Sequence, residues 1–286
     1  MFVIIGYVVV CLSVFGGFVL AGGHLAALFQ PVELLMIGGG ALGALFVGND
    51  LKTIKATGAA LPTLFKGSKY SKNLYLNLLA MMFEILTKIR KEGLIAIEKD
   101  IEDPDNSAIF TKYPNLLKDH HLMHFIADYL RLMLSGSLNA YQLENLMDVE
   151  IETHHTEGHA PIHCLAKVSD GLPAFGIVAA VMGVVHTMAS VGLPPAELGI
   201  LIANALVGTF LGILLAYGFV GPLASLLEQK LNESTKFYQT VKVILLAHLQ
   251  GYAPIIAIEF GRKVVNSTER PGFLELEEHI KLAKQK

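Results

Sequence analysis

The sequence predicts an all-α integral membrane protein whose four transmembrane helices form two hairpins, and two observations support this prediction. The first is the distribution of charge. All 22 Lys and Arg residues lie within 50–170 and 224–286, so the stretches 1–49 and 171–223 have none. The second is composition, because charged residues make up only 16% of the chain, against about 25% in an ordinary soluble domain. The two stretches without basic residues are also the apolar ones.

Four apolar segments are long enough to cross a bilayer, which takes about 20 residues of helix. They lie at 2–21, 33–49, 172–190 and 199–222. No basic residues precede the first apolar segment, as they would in a signal peptide, so we expect a retained span.

The basic residues also predict how the helices are oriented. The links within the two hairpins have no Lys or Arg, whereas several lysines follow the second and fourth spans closely: Lys52, Lys55, Lys66, Lys230 and Lys236. Basic residues near span ends favour the cytoplasmic side. We therefore expect both termini in the cytoplasm and four successive parts, which are a membrane hairpin at 1–49, a cytoplasmic helical region at 50–170, a second hairpin at 171–223, and a cytoplasmic helix with a C-terminal tail at 224–286.

The two cytoplasmic parts are predicted to be helical. Apolar residues recur at helical spacing over 74–90 and 116–134, and Gly136 is expected to end the second of these helices. We expect the fourth span to continue as one long helix as far as Leu249. An amphipathic helix is predicted after Pro271.

The spans lack buried charge, which limits what this chain does alone. No Asp, Glu, Lys or Arg lies well inside a span, and Glu33 and Glu197 lie only at span edges. A chain that moved protons unaided would normally hold an ionisable group at bilayer depth, so we expect a partner to supply the carboxylate. Thr209 is a polar group that would then line the route. Its alternative role is a hydroxyl bonded to its own helix backbone.

Small residues and prolines in the spans each allow two interpretations. Small residues recur at four-residue spacing in three rows: Gly40, Ala44, Gly48; Ala179, Gly183; and Gly208, Gly212, Ala216. Such rows let helices approach closely, either within one chain or around a partner's helix. Pro173 and Pro222 flank the second hairpin, and each is either a simple helix boundary or a hinge.

Several other signals do not lead to a site. The glycines at 38–43 satisfy a dinucleotide-binding pattern, but they lie in an apolar span with no strand before them. His155, His159 and His163 have metal-ligand spacing, yet Gly158 and Pro161 predict an interrupted, solvated linker there. We find no nucleophile–base pair, so we expect no enzyme, no metal and no cofactor. The net charge of −3 argues against nucleic acid as a partner.

Five runs of residues are recognisable together. They are 6–49, DGLPAFGIVAAVMGVVHTMAS at 170–190, LVGTFLGILLAYGFVGPLA at 206–224, GYAPIIAIEFGRK at 251–263 and ERPGFLELEE at 269–278. In this order they closely resemble the MotA family of flagellar motor stator proteins, within the MotA/TolQ/ExbB proton-channel proteins. The resemblance covers nearly the whole chain.

The resemblance implies a function and a set of partners. MotA-like proteins form a ring of five around two copies of MotB in the bacterial inner membrane, and MotB supplies the membrane aspartate and a peptidoglycan anchor. Ion flow through this assembly then drives the rotor protein FliG. The bilayer itself is the remaining partner.

By position, the resemblance implies roles for six residues of this chain. These are Arg90 and Glu98 for rotor contact, Pro173 and Pro222 for conformational coupling, and Ala180 and Thr209 for lining the ion path. Sodium-driven relatives tend to have a threonine where this sequence has Ala180, which favours protons. The histidine-rich stretch 154–163 departs from the family pattern.

Two alternatives are an energiser in a related class and a transporter in a different class. An energiser of the ExbB/TolQ type powers outer-membrane processes through a different partner, but those relatives have three spans. A self-sufficient transporter would need a substrate-binding polar group in its bundle, and none is evident in the sequence.

Overall fold

A computed structural model describes residues 2–283, and over that range the chain consists of helices and turns. In chain order the helices are α1 (Phe2–Leu20), α2 (Pro31–Gly48), α3 (Leu51–Leu64), α4 (Lys72–Glu92), α5 (Glu98–Glu102), α6 (Pro114–Leu117), α7 (His120–Ser135), α8 (Ala140–Met188), α9 (Pro195–Leu249), α10 (Pro254–Val264) and α11 (Phe273–Ala283). Short 3₁₀ turns join several of them.

The prediction of four membrane helices is confirmed. Helices α1 and α2 and segments of α8 and α9 are long and apolar enough to cross a membrane. A large helical region lies between the second and third spans, as predicted. The second span begins two residues earlier than expected, because Pro31 occupies the first turn of α2, where its missing N–H would have no partner anyway.

The chain divides into two compact units. The membrane unit consists of the residues up to Gly67 together with Glu157–Lys230. The globular unit consists of Ser68–Thr156 and the residues from Leu231 onward. Helices α8 and α9 contribute residues to both units.

Small residues bring α8 and α9 together in the membrane unit. An added Cβ at Gly176 would lie 2.8 Å from the Gly208 carbonyl oxygen, and one at Gly183 would lie 2.6 Å from the Ala205 Cβ. Neither position has space for a side chain. Two of the predicted small-residue rows therefore pack against each other within one chain, which decides between the two interpretations for those rows.

Large apolar side chains form the core of the globular unit. They come from α4, α7, the first turns of α8, the last turns of α9, and α10 and α11, with smaller contributions from the short segments between α4 and α7. The predicted helix over 74–90 is confirmed as α4, whose first turn is capped by the Ser71 hydroxyl. Gly136 ends α7 with a φ of +61°, as predicted, because glycine adopts left-handed conformations without steric cost.

One helix prediction in this unit is only partly correct. The segment 116–134 is divided, since α6 ends at Leu117 and α7 begins at His120. The Asp119 carboxylate accepts the Leu122 N–H at 3.3 Å and so caps a new helix. The predicted tail helix is confirmed as α11 up to Ala283, and the rest of that prediction, 284–286, lies outside the described residues.

Three prolines lie inside continuous helices, contrary to the boundary interpretation. Pro161 and Pro173 are internal to α8, and Pro222 is internal to α9. The interrupted linker predicted at 154–163 is likewise wrong, because α8 runs through it without a break. Pro161 is buried, so packing outweighs the local cost of a missing backbone donor.

Candidate functional site

Ala180 and Thr209 lie on neighbouring faces of α8 and α9 in the membrane unit. Ala180 is buried, and an added Cβ at Gly208 would lie 3.3 Å from the Ala180 amide nitrogen. Thr209 follows Gly208 and is only partly buried. The close contact between the two helices thus places Thr209 at the margin of their interface.

The Thr209 hydroxyl differs from that of the buried Thr187. Thr187 donates to the Gly183 carbonyl at 2.9 Å, within its own helix. Among residues 2–283, the Thr209 hydroxyl makes no hydrogen bond. The Thr209 hydroxyl therefore does not bond its own helix backbone in this structure, and its role in lining an ion path stays a prediction.

Pro222 lies two residues after a π-helical segment of α9, Leu214–Val220. Proline has no N–H and its ring clashes with the preceding turn, and the π-helical turns widen the helix where that clash would fall. Two side chains then donate to carbonyls of this segment. Tyr7 of α1 donates to the Phe219 carbonyl at 3.0 Å, and Ser169 of α8 donates to the Ala216 carbonyl at 3.0 Å.

Ser169 connects the turn before Pro173 with the π-helical segment before Pro222. It lies four residues before Pro173, so its own carbonyl is the one that Pro173 leaves without a helical donor. Its hydroxyl reaches the π-helical segment before Pro222. Nothing in the sequence marks Ser169 except its spacing from Pro173, and for that reason sequence reasoning missed it.

Within the four apolar spans, acidic residues lie only in first turns. Glu33 is in the first turn of α2 and Glu197 in the first turn of α9, where a negative charge complements the helix dipole. Glu33 is buried, with 8% of its surface exposed. Its predicted position at a span edge gave no indication of this burial. Beyond these first turns the sequences of the four spans contain no Asp or Glu.

Arg90 and Glu98 are exposed on the globular unit. Arg90 lies in the last turn of α4 and Glu98 at the start of α5. Within residues 2–283 neither side chain makes a hydrogen bond or an ion pair. These opposite charges are therefore free to contact another protein.

Two acidic residues near them are instead paired within the chain, Asp100 with Lys88 and Glu102 with Arg131. Lys88 contacts Asp100 at 2.7 Å, and the buried Asp100 also accepts the Ser107 hydroxyl at 2.6 Å. This network fixes α5 to the end of α4. The charged residues between Lys88 and Asp103 thus include a structural pair, Lys88 and Asp100, as well as exposed residues such as Arg90 and Glu98.

Residues of the two recognisable C-terminal runs, 251–263 and 269–278, hydrogen-bond to one another and to the first residue of α4. Arg262 makes two hydrogen bonds of 2.7 Å to Glu259 and donates to the Pro271 carbonyl at 2.9 Å. Glu269 accepts the backbone N–H of Lys72, the first residue of α4, at 3.0 Å. The Arg262 hydrogen bonds lower the pKa of Glu259 below its ordinary value. These motif residues therefore position the helix that carries Arg90.

Comparison with known proteins identifies relatives along almost the entire chain. Residues 4–93 match the family "Motility protein A N-terminal", and residues 118–240 match the MotA/TolQ/ExbB proton channel family. Motility protein A of Salmonella typhimurium is 57% identical over 98% of this chain and 95% of its own length. Motility protein A of Escherichia coli is 55% identical over 99% and 96%.

Solved structures have the same fold. A C. jejuni MotAB structure matches with a TM-score of 0.77 at 19% identity, over 93% of this chain and 95% of that one. The MotAB stator complex of Bacillus subtilis matches with a TM-score of 0.71 at 25% identity, over 90% and 92%. The chain therefore belongs to the motility protein A family, the proton-channel subunits of flagellar stators.

Proposed function

We propose that this chain and a MotB-type partner form a proton channel in the bacterial inner membrane that converts ion flow into torque on the rotor protein FliG. One observation carries the proposal. In a chain of this family, no Asp, Glu, Lys or Arg lies beyond the first turns of the four membrane spans. A proton-conducting site at bilayer depth needs such a group, so a second chain supplies it.

The proposed assembly is a ring of five copies around two copies of the partner. The solved relative from Bacillus subtilis is a MotAB complex, which supports a MotB-type partner.

Both termini lie in the cytoplasm, with hairpins at 1–49 and 171–223 and cytoplasmic parts at 50–170 and 224–286. The distribution of lysines supports this topology.

Conduction begins when a proton from the periplasm neutralises the partner's aspartate beside Thr209. Neutralisation removes a large cost of placing that carboxylate against apolar helices, and the ring then steps around the partner. The unbonded Thr209 hydroxyl supports its role as a lining group, with Ala180 beside it. One charge crossing 100 mV supplies about 2.3 kcal/mol, so many steps together turn a large rotor.

Motion reaches the rotor through Pro173 and Pro222 and then through Arg90 and Glu98. The two prolines lie in helices that contribute to both units, and Ser169, four residues before Pro173, donates to the π-helical segment before Pro222. Arg90 and Glu98 are exposed and without partners in the described chain, which supports their contact with charged residues of FliG. This role is mechanical and not enzymatic.

An ExbB/TolQ-type energiser is the less favoured function. The second matched family model includes both classes, but the first is specific to motility protein A. The high identity to motility proteins also favours the stator.

Swimming speed, measured while the sodium gradient and the proton gradient are varied separately, tests the proposal. We expect speed to follow the proton gradient and to be independent of sodium. Speed that follows sodium would contradict the proton assignment, and full motility in cells that lack this chain would contradict the stator function.

A further inference from the structure

A groove between α2 and α8 in the membrane unit belongs to neither the ion path nor the rotor contacts. Its volume is about 350 Å³. Small residues of α2, among them Ala44 and Gly48, form one wall, and Phe175 and Gly171 of α8 form the other. The groove is open because this row of small residues leaves space that larger side chains would fill.

One end of this groove is polar and cationic. Asn49, His163 and Lys167 line it. Within residues 2–283, neither Lys167 nor His163 makes an ion pair or hydrogen bond. The residues that line the groove include no carboxylate. An unpaired lysine beside an apolar groove is therefore available to an anion.

The polar end lies where the apolar helices stop. Helix α2 ends at Gly48, and Asn49 and Asp50 follow directly. On α8, Lys167 and Asp170 are the last charged residues before the apolar segment of the third span. The cationic end is therefore at headgroup level, while Ala44 and Phe175 lie deeper along the spans.

We infer that this groove binds an anionic phospholipid. Its phosphate contacts Lys167 and the neighbouring polar groups, and one acyl chain lies along Ala44, Gly48 and Phe175. Basic pockets between membrane helices are suited to anionic headgroups, and here the apolar part continues into the hydrocarbon layer. The inference depends on membrane insertion and not on conduction or torque.

Native mass spectrometry of the complete stator complex tests the site. The complex is reconstituted in vesicles of phosphatidylcholine and phosphatidylglycerol in equal amounts, extracted in mild detergent, and analysed for bound lipid. Lys167→Gln should lower phosphatidylglycerol retention about fivefold, the effect of one lysine near an anionic surface. Gly48→Leu should lower it similarly by filling the groove, because an added Cβ there meets no atom within 4 Å.

Two matched variants serve as controls. Lys55→Gln removes another exposed lysine near the end of α2 that does not line the groove. Gly43→Leu adds the same side chain to α2 at a position that is also open and outside the groove. Both should retain phosphatidylglycerol as the wild type does. If Gly48→Leu fails to assemble, Lys167→Gln alone decides the outcome.

Four results would overturn the inference. They are unchanged retention in Lys167→Gln, equal retention of phosphatidylcholine and phosphatidylglycerol by the wild type, displacement of the lipid by excess inorganic phosphate, and an altered subunit number in Lys167→Gln. Displacement would indicate a site for free phosphate, and an altered subunit number would indicate that a second copy of the chain fills the groove.

Discussion

The membrane unit and the globular unit are stabilised by different kinds of contact. In the globular unit, large side chains such as Leu79 and Phe125 are fully buried. In the membrane unit, one buried cluster consists of Ile37, Ala41, Leu172, Ala179 and Ala216, so three of its five residues are alanines. Most of the large apolar side chains of this unit face outward.

The two environments explain this difference. In water, burying apolar surface contributes about 25 cal/mol per Å², so large side chains are most stabilising inside. In lipid that driving force between helices is absent, and close backbone approach takes its place. The globular unit should therefore lose stability mainly when buried side chains are shortened. The membrane unit should lose it mainly when small residues at helix contacts are replaced by larger ones.

The largest expected effect comes from adding atoms in the membrane unit. Gly212→Leu should abolish assembly of the stator complex, because an added Cβ would lie 2.6 Å from the Leu172 carbonyl oxygen. Gly199→Leu, in the same helix but with no atom within 4 Å of its added Cβ, should assemble. Size-exclusion chromatography of the complex measures both. A wild-type elution profile for Gly212→Leu would contradict the packing argument.

The next effect concerns the exposed charges of the globular unit. Arg90→Glu should remove most of the torque, whereas Arg90→Ala should remove only part, since an exposed ion pair contributes about 0–1 kcal/mol. Lys91→Glu, the same reversal at the adjacent exposed residue, should have a smaller effect. Tethered-cell rotation measures torque. Unchanged torque in Arg90→Glu would mean that this residue does not contact the rotor.

A smaller effect is expected at the distortion beside Pro222. Pro222→Ala restores a backbone donor and should leave insertion intact while slowing rotation. Ser169→Ala should slow rotation less and add little in the Pro222→Ala background, because both act on the same π-helical segment. Ser225→Ala, at an exposed hydroxyl nearby, is the control. If the two substitutions slow rotation additively in the double variant, they do not act on the same segment.

The smallest effect concerns the hydrogen bonds that Arg262 makes to Glu259 and to the Pro271 carbonyl. Arg262→Gln should lower the stability of the globular unit by about 2 kcal/mol at neutral pH, the contribution of hydrogen bonds to a charged group. Because the pKa of Glu259 is lowered in the folded chain, this contribution is complete above its ordinary value of 4.5 and is lost as the pH falls through the folded pKa.

Melting temperatures of the stator complex between neutral and acid pH measure this contribution. Lys263→Gln is the matched control, since Lys263 is more exposed and lies 3.7 Å from Glu259. The wild type and Arg262→Gln should converge as the pH falls. If the difference in melting temperature between the wild type and Arg262→Gln widened at acid pH, the assigned direction of the Glu259 pKa shift would be wrong.

Much of the fold was predictable because it depends on periodic or regional patterns. Missing lysines and arginines locate the hairpins, and helical spacing locates α4. The remainder depends on contacts between residues distant in sequence. Pro173 and Pro222 suggest helix ends by local rules, but the hydrogen bond from Ser169 to the Ala216 carbonyl stabilises a distorted helix instead.

The candidate site was predictable to a similar extent. The absence of acid from the spans is visible in the sequence, whereas the unbonded state of the Thr209 hydroxyl is visible only in the structure. Likewise, the C-terminal motifs are recognisable as runs of residues, but the bond from Glu269 to the start of α4 explains what they do. The roles of Arg90, Glu98, Ala180, Thr209, Pro173 and Pro222 stay predictions.

Proton flux into liposomes tests the central claim most directly. Vesicles that contain this chain alone should be as proton-tight as empty vesicles, because its spans hold no acid to relay the proton. Vesicles that contain the chain with its MotB-type partner should conduct once the channel is open. Robust flux through the chain by itself would contradict the account, since the proton would then cross without a partner's carboxylate.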